Sequence, residues 1–120
     1  MRAIYLYTGA DGHSHFKEGY IHNHTHVKTT TTTFVESPAF SKLYWHTAPQ
    51  TQFVVTLKGT LEFTVHSGQS FVIKPGTILI ADDTTGSGHY WKLIDSEPWQ
   101  RVYAVFAEPL LIETIFKEIL

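Results

Sequence analysis

Histidine is the side chain best supplied here for chemistry near neutral pH: the chain carries eight, and no cysteine. A neutral imidazole can ligate a divalent transition metal or serve as a general base. The missing cysteines exclude disulfides, thiolate nucleophiles and cysteine-type zinc sites. His46 and His89 stand at the two ends of a stretch of short apolar runs, which makes each a candidate metal ligand. A second group, His22, His24 and His26, alternates with Ile21, Asn23, Thr25 and Val27. In a strand these three imidazoles would share one face about 7 Å apart. That spacing suits an exposed polar ladder better than one ion, whose nitrogen ligands must converge to about 2 Å.

The remaining polar clusters are weaker. Asp82 and Asp83 are adjacent, so in an extended chain they point to opposite faces and cannot form an acid and base pair. Asp82 is expected at the pocket mouth, where it can take up a substrate proton; turn-making is the competing role. Thr84-Thr85-Gly86-Ser87-Gly88 offers backbone amides to an anion, but no helix follows to add a dipole end. It reads as a connection first. No nucleophile elbow, zinc-protease motif or dinucleotide fingerprint occurs.

The elements that must position these groups are strands. QFVVTL, TLEFTV, SFVIK, TILIA and HYWKLI are each of strand length and rich in β-branched or aromatic residues, with breaks at Lys58-Gly59, Ser67-Gly68 and Pro75-Gly76. They read as five consecutive antiparallel strands closing into a β-barrel whose interior holds the chemistry. Residues 3–7 form a first strand, 20–35 one or two more, 42–46 another and 99–106 the last. Trp45 and Tyr90 neighbour His46 and His89 and so project to the opposite side. The tail PLLIETIFKEIL places Ile112, Ile115, Phe116 and Ile119 at helical spacing after Pro109, which predicts a short helix over 109–120.

At 120 residues this is one domain, with N-terminal strands 3–35, a body over about 40–107 and the tail helix. A net charge of -2 gives no basic field for nucleic acid or an anionic membrane surface. The start MRAIYLYTGADG has no apolar segment of signal-peptide length, and no window is long and apolar enough to span a bilayer. A cytoplasmic location is the resulting expectation. The apolar tail and the threonine-rich arm over 29–33 give means for a homodimer, through sheet extension or exchange of the tail.

The body resembles a cupin, a family whose two motifs direct histidines and a glutamate into a jelly-roll β-barrel. The first motif corresponds to His46-Thr47-Ala48, then Gln52, then six residues to Gly59; the second runs from Gly76 to Asp82 and reaches His89 through a long loop. Tyr7-Thr8-Gly9, Asp11-Gly12, Ser14-His15-Phe16, Ala48-Pro49 and Asp83-Thr84-Thr85-Gly86 are similar to a subgroup of small stand-alone cupins. Ala48 stands where the family has its second histidine, Gln52 where it has glutamate and Asp82 where it has proline.

The resemblance implies an all-β cupin jelly-roll with His46, Gln52 and His89 as metal ligands. A hairpin across residues 46–52 would set His46 beside Gln52, and Val54 and Thr56, on the face of Gln52, would line the pocket floor. One of the histidines at 22, 24 and 26 could replace the ligand absent at Ala48. The implied function is binding of a divalent metal (manganese, iron, nickel or zinc) and a small polar organic ligand, with isomerase or oxygenase chemistry conceivable. The alternatives are a metal-free small-molecule binding or sensing module and a metal-free sugar isomerase or epimerase using His46 or His89 as base.

Overall fold

The computed structural model describes residues 1–119. Eleven strands follow in order: β1 (Arg2–Thr8), β2 (Ser14–Ile21), β3 (Thr29–Ser37), β4 (Lys42–His46), β5 (Gln52–Lys58), β6 (Leu61–Val65), β7 (Ser70–Ile73), β8 (Ile78–Asp82), β9 (His89–Leu93), β10 (Trp99–Phe106) and β11 (Phe116–Glu118). They form two sheets, one ordered β11-β2-β1-β8-β5-β10-β3 and the other β4-β9-β6-β7. The chain is therefore all-β, as its composition of short β-branched runs predicts.

The five central runs are strands, but they do not form a consecutive antiparallel array. Of these five, only β6 and β7 pair as a hairpin; β5 lies between β8 and β10, and β9 lies between β4 and β6. Most connections cross from one sheet to the other. The physical reason is visible in β5 and β6, where buried and half-buried positions alternate over Gln52–Thr56 and Leu61–Val65. Each strand has one apolar face, and two sheets can bury those faces against one another, whereas a single meander leaves them wet. Gly59 makes the crossing between β5 and β6 at φ 101°, and a Cβ there would lie 2.9 Å from the Pro98 carbonyl oxygen. Between the sheets pack Ile4, Leu6, Leu61, Phe63, Leu79 and Trp99.

The tail departs from expectation. Of the helix predicted over 109–120, Leu120 lies outside the described residues; the rest contains a single 3-10 turn at Ile112–Thr114 and then β11. β11 adds to the edge of β2 in the register Phe116↔Ile21 and Glu118↔Gly19. A helix this short is marginal by itself, whereas the unpaired edge of β2 supplies partners for the backbone groups of β11. Gly19 permits the contact, because a Cβ there would collide with the Lys117 carbonyl and lie 2.6 Å from the Phe116 ring. Ile115 and Phe116 join Ala3 and Ile80 in a second apolar cluster, where Phe53 and Phe106 also pack.

Residues 22–28 form no strand, so the histidine ladder does not exist. His22, His24 and His26 are exposed on the loop between β2 and β3, with His24 at φ 61°. The β1–β2 ladder runs from Thr8↔Ser14 to Arg2↔Tyr20, and the Ile21 amide donates to the Met1 carbonyl at 2.8 Å just beyond it.

Docking of the tail has a measurable consequence. Replacement of Phe116 by Ala empties a buried aromatic site and should destabilise the fold by about 3–5 kcal/mol. Equilibrium urea unfolding checks this, and a loss below about 1 kcal/mol would show that β11 is not docked.

Candidate functional site

A cavity of about 670 Å³ opens between the two sheets, lined among others by His46, Gln52, Val54, His89, Trp99 and Arg101. Its size falls within the usual range for small-molecule sites. His46 closes β4 and His89 opens β9, and the two stand directly opposite in the β4–β9 ladder. Their ring centroids are 4.4 Å apart with the planes inclined at 61°. Gly88 makes this approach possible: its φ is 72°, and any Cβ would collide with the backbone carbonyl of His46.

The expected hairpin across residues 46–52 is absent, since β4 and β5 belong to different sheets. Gln52 instead sits opposite Ala81 and Val105 in the seven-stranded sheet. It meets the same cavity as the histidines from across the gap between sheets.

Each imidazole is tied back by its Nδ1. In His46, Nδ1 lies 2.6 Å from the Tyr44 carbonyl oxygen. A carbonyl only accepts, so this nitrogen carries the proton and Nε2 carries the lone pair. In His89, Nδ1 donates to Asp83 Oδ2 at 2.6 Å. No hydrogen bond engages either Nε2 among the described residues. Burial holds the His46 imidazole below its ordinary value of 6.5, and the neighbouring His89 adds to that; the Tyr44 carbonyl and Asp83 act in the opposite direction.

Asp83 is wholly buried and organises this end of the cavity. Besides His89, its Oδ2 accepts from Ser14 Oγ at 2.7 Å, and its backbone oxygen accepts from the Ala48 amide at 3.0 Å. Its Oδ1 is buried without a hydrogen-bond partner. The carboxylate thus joins the start of β2 to the start of β9, and the Asp83 backbone oxygen ties in the segment after β4. Sequence reading expected Asp82 at the pocket mouth, and the structure turns it away from the cavity. Leu79 and Ala81 line the cavity, so alternation along β8 turns Asp82 to the other face. There it accepts from Tyr5 Oη at 2.9 Å and Thr51 Oγ1 at 2.7 Å, and burial together with this bond raises the Tyr5 phenol above its usual range.

Val54 lines the cavity as expected, but Thr56 does not. Thr56 is buried behind Trp99 and accepts its indole Nε1–H at 3.2 Å. Trp45 and Tyr90 pack edge to face at 5.1 Å and do not line the cavity.

No protein-family model matches the chain, and no curated protein matches it. Among solved structures it is similar to a conserved protein of unknown function from Streptococcus pyogenes. The two are 14% identical with a TM-score of 0.47, over 75% of this chain and 96% of that one.

The most informative residue that sequence reading passed over is Arg101. Its signal was present in β10, where Trp99, Arg101, Tyr103 and Val105 alternate on one face and place a cation amid apolar neighbours. Only 7% of Arg101 is exposed, and its guanidinium lies 3.8 Å from the Trp99 ring centroid.

Among the described residues, no three His, Cys, Asp or Glu side chains are grouped to hold a metal. The expected ligand set contributes two imidazoles and the neutral Gln52 amide to the cavity lining, with the Asp83 carboxylate held one hydrogen bond behind His89. Two close imidazoles with tethered Nδ1 atoms fit a shared ion, since that tether fixes tautomer and ring orientation in metal sites. The set is incomplete by itself and leaves positions for water or a ligand.

The lowered proton affinity of His46 has a definite sign. Between 6.5 and its lower folded value, the unfolded chain binds the proton and the native chain does not. Its contribution to stability is therefore present above that window and is lost as pH falls through it. In metal-free protein, NMR titration should place the His46 midpoint below 6.5 and report the Nδ1–H tautomer. A midpoint at or above the ordinary value would contradict the buried, tethered geometry.

Proposed function

We propose that this chain is a small cupin-type jelly roll. In this reading its cavity binds a small polar organic ligand at a divalent transition metal held by His46, His89 and Gln52. The observation that carries the reading is the pair of neighbouring imidazoles, each fixed through Nδ1 and each with Nε2 uncommitted at one cavity. When bound, the ion would supply Lewis-acid polarisation of a ligand oxygen. His46 and His89 contribute neutral nitrogen donors, Gln52 an amide oxygen, and Asp83 fixes the ring of His89 and offsets charge. Phe63, Trp91 and Trp99 provide apolar wall that limits water around these groups. Manganese, iron, nickel and zinc all suit a mixed nitrogen and oxygen shell.

Elemental analysis of tag-free protein and its variants tests this. Near-stoichiometric metal in the parent chain should be lost in His46→Ala and in His89→Ala. Asp83→Asn should weaken metal affinity by about 10- to 100-fold, as loss of a supporting carboxylate does. Substoichiometric metal unaffected by His46→Ala would refute the metal site.

The buried Asp83–His89 pair supports a second, metal-free reading. His89 Nε2 would take a proton from a bound ligand while Asp83 stabilises the imidazolium, as required of a base in an isomerase or epimerase. A binding or sensing module would use the same cavity without proton transfer. Retention of ligand binding after complete metal removal favours these readings over the first.

We also propose that the protein is a homodimer formed through β3. This nine-residue outer strand contains no proline and only one charged residue, Glu36, and Phe34 on it is 76% exposed. Such an edge is a template for another strand, and a second copy supplies an identical edge for antiparallel pairing about a two-fold axis. Light scattering at micromolar concentration should give twice the chain mass, falling towards one chain in Phe34→Lys. A parent mass of one chain would refute the dimer.

A further inference from the structure

Arg101 is a buried cation without a carboxylate partner. No Asp or Glu lies within ion-pair distance of it among the described residues; Nε donates to Tyr103 Oη at 3.0 Å, and Nη1 donates to Ser37 Oγ at 2.7 Å and to the Trp99 carbonyl at 3.2 Å. Nη2 makes no hydrogen bond to the described residues. Removing a guanidinium from water without an opposing charge is costly unless another group compensates. Here the Trp99 face and neutral oxygens compensate in part, and they hold the side chain rigid, so little ordering would be needed on binding.

We propose that Arg101 is the anchor for an anionic ligand, and that the ligand class is a small organic monocarboxylate. The inference rests on the cavity being a ligand site, but not on its containing a metal. A single positive charge with one uncommitted nitrogen suits a singly charged carboxylate. A phosphate dianion calls for more, and no second lysine or arginine lines the cavity among the described residues. The hydrocarbon part of the ligand has Val54, Phe63, Leu79 and Trp99 to pack against. The cation is linked to the imidazoles by ring contacts, Trp99 to Phe63 at 6.4 Å and Phe63 to His89 at 5.5 Å. A ligand seated on this aromatic floor would place its carboxylate at Arg101 and its remaining polar groups towards His89 and His46.

Benzoate and its neutral isostere benzamide are the probes, with binding followed through the indole N–H signal of Trp99 and by calorimetry. Inorganic phosphate serves as the competing anion. In the parent protein benzoate should bind at least about 10-fold more tightly than benzamide, a difference of about 1.4 kcal/mol. Arg101→Gln should abolish that preference while benzamide binding persists, and Arg101→Lys should retain part of it. Equal affinity for the two probes in the parent protein would overturn the carboxylate anchor while leaving the cavity as a ligand site. Binding of neither probe would overturn both readings. Phosphate binding as tightly as benzoate would overturn the assignment to monocarboxylates. Because the comparison of benzoate with benzamide is made on the parent chain, it stands even where an Arg101 variant fails to fold.

Discussion

A carboxylate without access to water, Asp83, is the constraint on which the candidate site depends. Burying that charge is tolerable only because Ser14 and His89 donate to it, and those bonds bring together chain segments separated by almost seventy residues. The consequence runs outward in order. His89 is held in one tautomer, the β4–β9 pairing sets His46 against it, and Gly88 removes the Cβ that would block the approach. The site is thus a product of a buried charge being satisfied. Its remaining unpaired oxygen, Oδ1, is an unusual feature in so well enclosed a group.

The cavity has two chemically different regions joined by aromatic rings. One has neutral imidazoles with free Nε2 atoms and the Gln52 amide; the other has the Arg101 cation, stacked on Trp99 and bonded only to neutral oxygens. This asymmetry would orient a ligand carrying a negative group and a second polar function. Two-sheet packing creates the asymmetry, because the histidines come from the smaller sheet while Gln52, Trp99 and Arg101 come from the larger one.

Much of the local architecture was legible in the residues. Alternation in QFVVTL and LEFTV, and glycine at Gly59, Gly68 and Gly76, marks strands and their breaks through side-chain period and backbone freedom. His46, Gln52, Val54 and His89 were legible as a candidate set. Thr56 and Asp82 were misplaced for different reasons. Thr56 is on the inward face but is covered by Trp99, a contact made across more than forty residues, and Asp82 is turned away by alternation that begins at Leu79. The tail pattern at Ile112, Ile115 and Phe116 is compatible with a helix, and the open edge of β2 overrides that local preference. Arg101 could have been noticed as the charge within an otherwise apolar face of β10, but its lack of a carboxylate partner could not.

By itself, the sequence determined the all-β class, the position of most strands and the supply of imidazoles, because these follow from side-chain period, turn chemistry and residue type. Tertiary structure alone decided which strands share a sheet, that β11 replaces a helix, that Asp83 faces the histidines in place of Asp82, and that Arg101 is a buried cation at their cavity. Those outcomes depend on which groups must be buried together and on which backbone edges remain to be paired, and both are properties of the assembled sheets rather than of any local segment.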